Sequence, residues 1–178
     1  MSTGGWEGGR VEQGRPGRRQ QQRLYTPDER RRRDASPWTL VQGVLAPLQF
    51  LVFLVSLGLV LRALATGDGW HAATVSIVAK TLVLYTIMVT GAIWEKDVFG
   101  RYLFAPAFYW EDVVSMAVLA LHTAYLVALV FGLLEPRSQL YLALAAYATY
   151  VVNATQFLLK LRAARREAPV AGALVGGE

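Results

Sequence analysis

Val113–Leu134, VVSMAVLALHTAYLVALVFGLL, is a run of 22 residues without a single Asp, Glu, Lys or Arg, and with one histidine, His122, near its centre. Wound as a helix at 1.5 Å per residue, such a run covers a hydrocarbon core of about 30 Å. Three more runs of similar character lie around it: Leu40–Leu64, Thr74–Trp94 and Leu140–Leu161. The pattern predicts an all-α, polytopic membrane protein, with four transmembrane helices in one bundle. Pro47 falls inside the first run, where it predicts a kink or a late helix start. Two connections are short, 65–73 around Gly67-Asp68-Gly69 and 135–139 around Pro136. The middle one, 95–112, is longer and rich in aromatic residues.

Composition agrees. The chain of 178 residues is 54% hydrophobic and only 17% charged, whereas soluble domains carry about 25% charged residues. Cysteine is absent, which excludes disulfides, thiolate metal sites and cysteine nucleophiles. Residues 1–37 differ from the rest: they are rich in Gly, Gln and Arg, contain Arg30-Arg31-Arg32-Arg33, and offer little apolar surface to bury. They are expected to form a disordered basic arm. The basic stretch is too long, and no small-residue cleavage site follows a short apolar core, so a signal peptide is not expected here. The expected organisation is therefore an arm at 1–37, a membrane domain at 38–166 and a flexible tail at 167–178.

Charge sets the expected orientation. Nine arginines in the arm, Lys96 and Arg101 in the middle connection, and Lys160, Arg162, Arg165 and Arg166 near the end share one side of a four-span topology. The other side holds Arg62 and Arg137, and Lys80 lies within a span. Basic residues collect on the cytoplasmic face, so both termini and the middle connection are expected there. Trp38, Trp70, Trp94 and Trp110 mark span ends, as an interfacial aromatic belt requires. The arginine arm suits attraction to anionic lipid, about 1 kcal/mol per basic residue near the surface, rather than binding of nucleic acid.

Ionisable residues at membrane depth are costly and mark candidate sites. The richest stretch is Trp94-Glu95-Lys96-Asp97, then the aromatic segment 98–109, then Trp110-Glu111-Asp112. A carboxyl group held against aromatic surface loses hydration and keeps its proton more readily, as a general acid must. The structural alternative is that Glu111 and Asp112 only complement a helix N-terminus, with Lys96 and Arg101 as interfacial cations. His122 lies eleven residues from Glu111, about 16 Å along a helix, on a shared face with Ser115. It could serve as an acid or base, ligate a metal in a bound macrocycle, or simply pack. A bis-histidine haem would need a second buried histidine, and His71 lies at a span end on the wrong side.

Polar residues also recur inside the spans. Thr149, Asn153, Gln156 and Lys160 follow one face of the last helix, and the second span carries Lys80, Tyr85, Thr86 and Thr90. Interhelical hydrogen bonds, at about 0.6 kcal/mol each, explain such a face. So does a polar pocket on the bundle axis. Gln42, Gln49 and Ser56 lie on a heptad line of the first span and read as packing. No phosphate loop, dinucleotide fingerprint, HExxH or GxSxG motif is present, and Asn153-Ala154-Thr155 is a glycosylation sequon only in form, because it lies within a span.

Several stretches together resemble the 3-vinyl bacteriochlorophyllide hydratase family. They include Lys80-Thr81, Leu84 to Met88, Trp94-Glu95-Lys96, Val98-Phe99-Gly100, Tyr102 to Phe108 and Trp110-Glu111-Asp112. Leu119 to Tyr125, Asn153-Ala154 with Gln156-Phe157, Lys160-Leu161-Arg162, and the entry Leu24-Tyr25-Thr26-Pro27 with Trp38 to Gln42 belong to the same likeness. It covers roughly residues 24 to 166. The resemblance implies a hydro-lyase that adds water to the 3-vinyl group of chlorophyllide a or a bacteriochlorophyllide, without a redox cofactor, in a bacterial photosynthetic membrane. It also implies a pigment substrate, a bilayer environment and potential contact with other enzymes of bacteriochlorophyll synthesis.

Vinyl hydration needs an acid, a positioned water and a dry planar slot. Glu95 or Glu111 is the expected proton donor, with Asp112 or His122 expected to orient the water and take its proton. His122 is alternatively an axial ligand to the substrate magnesium. Phe104, Phe108, Tyr109 and Trp110 are expected to form a flat apolar wall, and Arg101 or Lys160 to pair with a substrate propionate. Lys80, Tyr85, Asn153 and Gln156 complete the expected substrate-binding set. A non-catalytic pigment-binding or assembly protein would use the same slot without a titrating acid. A small multidrug-type transporter fits poorly, because the first span carries no acid.

Overall fold

The computed structural model describes residues 24–173, with side chains described for 24–163. Five helices follow in order: α1 Pro27–Ala35, α2 Pro37–Thr66, α3 Trp70–Phe99, α4 Tyr109–Val130 and α5 Pro136–Ala173. The described residues form no strand. Each of α2, α3, α4 and the Pro136–Ala163 part of α5 is long and apolar enough to cross a membrane. The protein is thus a multi-pass membrane bundle. Leu51, Val55, Leu82, Val89, Val130 and Leu159 point outward and are exposed, as a lipid-facing surface requires.

The helices pack as antiparallel neighbours. The pairs α2–α3 and α4–α5 are the closest, and α2 also touches α5 while α3 touches α4. Short turns enforce this. Gly67 (φ 77°) and Gly69 (φ 84°) both adopt left-handed backbone, a conformation that costs glycine nothing and reverses the chain between α2 and α3. Interior packing centres on Phe53, Val60, Ile77, Leu84, Val118, Tyr125 and Tyr147.

Three boundaries differ from the sequence expectations. Helix α2 begins at Pro37 and runs through Pro47, so no late start occurs. Helix α4 stops at Val130 rather than near Leu134, because Gly132 turns left-handed and Pro136 opens the next helix. The middle connection shrinks to 100–108, since α3 extends to Phe99 and α4 starts at Tyr109. Glu95 and Glu111-Asp112 are therefore helical residues facing a short loop, not parts of a long one.

Part of the expected disordered arm is ordered. Thr26 caps α1 by accepting from the Glu29 N–H (3.3 Å), while the Glu29 carboxylate accepts from the Thr26 N–H (2.7 Å). With Pro27 in the first turn and Arg32 and Arg33 in the last, the local sequence meets every requirement of a short helix. Tyr25 is buried, stacked on Phe99 with centroids 5.9 Å apart, and Ser36 Oγ donates to Asp97 (2.9 Å). These contacts lay residues 24–36 across the end of α3. The rest of the arm, 1–23, lies outside the described residues. Helix α5 continues to Ala173, into the stretch expected as a flexible tail, and 174–178 lie outside the described residues.

Candidate active site

Two helices and one loop bring the acidic residues together. Glu95, in the last turn and a half of α3, and Asp112, in the first turn of α4, are both buried and lie in direct contact. The loop between the helices fixes them. The Phe104 N–H donates to Asp112 Oδ2 (2.7 Å), and the next N–H, of Ala105, donates to Glu95 Oε2 (3.2 Å). Phe104 holds φ at 58° to present both donors inward. Left-handed backbone is strained for an aromatic residue, and charge-assisted hydrogen bonds to carboxylates offset that strain.

Glu111 is also buried, yet it faces a different partner. Its Oε2 accepts from Lys160 Nζ of α5 at 2.6 Å. The Lys160 ammonium also lies 4.9 Å from the centre of the Phe108 ring. Beneath this layer, Asn153 Nδ2 donates to Ser115 Oγ (2.8 Å), which ties α5 to α4 again. Thr149, on the expected polar face, turns back to the Ala145 carbonyl, and Gln156 leaves its side-chain oxygen without a partner among the described residues.

His122 does not join the carboxylates. Its Nδ1–H donates to the Val118 carbonyl (2.8 Å), which leaves Nε2 to accept from Lys80 Nζ (2.9 Å). Both ring nitrogens are thereby occupied, so magnesium ligation would require breaking the contact with Lys80. The shared face of Glu111, Ser115 and His122 is as the spacing predicts, and all three are buried. Each nonetheless meets its own partner: Lys160, Asn153 and Lys80. The eleven-residue separation puts His122 about 16 Å from the acidic layer along α4. Tyr150 and Tyr147 present their rings to the Lys80 ammonium, at 4.3 and 5.2 Å to the centroids. Contact of this kind with an aromatic face stabilises an ammonium group. Tyr85 lies on another face, with its hydroxyl 2.8 Å from Thr123 Oγ1.

The expected aromatic wall divides in two. Phe108 turns inward, among Trp94, Phe99, Phe157 and Tyr25. Phe104, Tyr109 and Trp110 instead form an outer strip, with centroids 5.8 and 5.5 Å apart, and Trp110 is 69% exposed. The reason is helical: Tyr109 and Trp110 start α4 on its outer side, while Phe108 precedes it and caps the bundle. Arg101 is exposed at the loop, close to that outer strip in sequence. No group of three or more His, Cys, Asp or Glu suited to a metal ion occurs among the described residues.

Gln49 escaped the sequence reading as a site residue. It is buried on α2, and neither of its side-chain polar atoms has a partner among the described residues. Its heptad spacing to Gln42 and Ser56 gave the only signal. Those two do pack by hydrogen bonds, Gln42 to Thr90 (2.8 Å) and Ser56 to Ser76 (2.7 Å) and Tyr147 (2.5 Å).

A relative from Rhodobacter capsulatus called 2-vinyl bacteriochlorophyllide hydratase is 70% identical over 146 residues, 82% of this chain and 84% of that protein. One of the same name from Cereibacter sphaeroides is 71% identical over 144 residues, 80% of this chain and 89% of that protein. No solved structure matches. The family model described as 2-vinyl bacteriochlorophyllide hydratase matches residues 25–163, from buried Tyr25 to the end of the described side chains. Matching over the whole bundle, the acidic layer and the capping loop included, the chain belongs to the 2-vinyl bacteriochlorophyllide hydratase family.

Proposed function

We propose that the protein is a hydro-lyase that adds water to the vinyl group of a chlorophyll-type macrocycle in bacteriochlorophyll biosynthesis, and that the Glu95–Asp112 pair carries out the proton transfers. The relatives' names number the vinyl position 2 where the sequence expectation used 3; the reaction, water across a peripheral C=C bond, is the same. The observation that carries the assignment of roles is the contact between these two buried carboxyl groups under the Phe104–Ala105 backbone. Two touching carboxyls favour an arrangement with one proton between them, so that one is an acid while the other is a base.

Protonation of the terminal vinyl carbon by Glu95 develops positive charge on the carbon next to the ring, where the macrocycle delocalises it. Water adds to that carbon and gives its proton to Asp112. A transfer from Asp112 to Glu95 then restores the starting state. Glu111 is engaged by Lys160, and in this scheme the ion pair fixes α5 against α4 rather than donating a proton. The outer strip of Phe104, Tyr109 and Trp110 offers apolar surface for a macrocycle arriving from the bilayer, and exposed Arg101 is placed to meet a substrate carboxylate. Substrate and water alone balance this reaction, and we carry cofactor independence as part of the proposal. The acidic end of the bundle is assigned to the cytoplasmic side of the photosynthetic membrane by its excess of basic residues. Association with neighbouring enzymes of the pathway is compatible with the exposed aromatic loop.

The test is direct. Membranes from a host that lacks chlorophyll synthesis, expressing this chain, are given chlorophyllide a, and absorption and product mass are followed. A blue shift with the mass gain of one water is expected, because hydration removes the vinyl group from conjugation. Binding without conversion would support a pigment carrier instead.

A further inference from the structure

We infer that Gln49 and Asn153 form a buried water site inside the bundle, and that this site supplies the water consumed by the reaction. The inference rests on the hydratase reading above. Gln49 is 2% exposed and Asn153 8% exposed. Neither Gln49 Oε1 nor Nε2 has a partner among the described residues, and neither does Asn153 Oδ1. Unpaired polar atoms buried away from solvent are costly, and water in contact with several such atoms satisfies them.

Helix geometry puts these atoms at one level. Phe53 and Tyr150 have ring centroids 5.0 Å apart, across the α2–α5 contact. Gln49 lies four residues from Phe53, and Asn153 three residues from Tyr150. Because α2 and α5 are antiparallel, both steps go one turn toward the 100–108 loop. Gln49 supplies donors and an acceptor, and Asn153 an acceptor. That is the mixed set that water uses and a simple ion does not. Asn153 reaches Ser115 (2.8 Å), and Ser115 follows Asp112 by three residues on α4, about one turn or 5 Å. The site thus lies directly beneath the carboxylate that takes the proton. One water leaves it per turnover: its oxygen bonds to the ring-side vinyl carbon, one hydrogen stays on that oxygen, and the other goes to Asp112.

X-ray radiolytic labelling of the pigment-free protein in lipid nanodiscs tests the site without recourse to activity. Hydroxyl radicals made from bound water oxidise the nearest side chains, so Phe53 or Tyr150 is expected to label despite burial, and to stop labelling in Gln49→Leu. Gln49→Glu, which keeps hydrogen-bonding capacity, is expected to retain it. Turnover of Gln49→Leu is expected to fall about 100-fold, with KM for the pigment unchanged. Unlabelled Phe53 and Tyr150 in the unmutated protein would overturn the site whether or not any variant folds. Undiminished turnover in folded Gln49→Leu would overturn its role as the water source. Labelling in a protein that never hydrates pigment would uphold the site, overturn its role as the water source, and sink the hydratase reading.

Discussion

Nζ of Lys80 lies 2.9 Å from Nε2 of His122 in the middle of the bundle, and no carboxylate among the described residues forms a salt bridge with Lys80. Among the described residues the Lys80 Nζ contacts are the His122 imidazole and the rings of Tyr147 and Tyr150. Lys80→Met should lower the unfolding temperature, since it strands the His122 acceptor, and so should His122→Leu. The double variant should recover a coupling of about 1–3 kcal/mol relative to the sum of the singles. All three, where folded, should still hydrate pigment, because the pair lies about 16 Å from the acidic layer. Loss of turnover in a folded Lys80→Met protein would return the pair to the active site.

Glu111 and Lys160 form the ion pair that joins α4 to α5, with side chains 9% and 26% exposed. Lys160→Met should destabilise by about 1–3 kcal/mol, less than a fully buried pair because the lysine is partly solvated. Adding Glu111→Gln should recover most of that loss in chemical denaturation. Glu111→Gln alone should keep turnover within a few-fold of the unmutated protein, and a collapse would make Glu111 the proton donor in place of Glu95.

Phe104 sits at φ 58°, so substitutions there should rank by their tolerance of left-handed backbone rather than by size. Phe104→Asn should melt close to the parent protein. Phe104→Val should cost about 1–3 kcal/mol, because a β-branched residue resists positive φ. Equal melting temperatures for the two would show that the loop does not need this conformation.

Much of this architecture was legible in the sequence, and the failures have physical causes. Hydropathy and turn residues disclosed four spans, because a bilayer demands length and apolarity and little else. Glu95 and Asp112 stand out in the sequence as candidates because carboxylates are costly at membrane depth, and both are buried in the structure. Their contact was not legible, since it depends on Phe104 adopting a backbone conformation that aromatic residues seldom take. Pairing of His122 with Lys80 depends on how α3 and α4 are rotated about their axes, which no spacing within one helix reveals. Helix α1 was overlooked although its capping signal, Thr26 with Glu29 three residues on, was present. Its four consecutive arginines and scant apolar surface carry the composition of a disordered segment instead.

Burial beside Phe99 and Phe108 pushes the Tyr25 hydroxyl above its ordinary pKa of 10.0, with Arg33 acting in the opposite direction. The folded state therefore holds this proton more tightly than the unfolded chain does. The stabilisation from docking Tyr25 is complete below pH 10 and is lost as the pH rises further. Tyr25→Phe should flatten that alkaline decline in thermal unfolding. An unchanged decline would mean that the phenol is solvated.

In the proposed mechanism Glu95 and Asp112 move the protons. Single-turnover hydration by Glu95→Gln and Asp112→Asn, with pigment binding measured separately, tests it most directly. Both variants should bind pigment as the unmutated protein does, and should hydrate it at least about 100-fold more slowly. Either variant hydrating pigment at the unmutated rate would contradict the account.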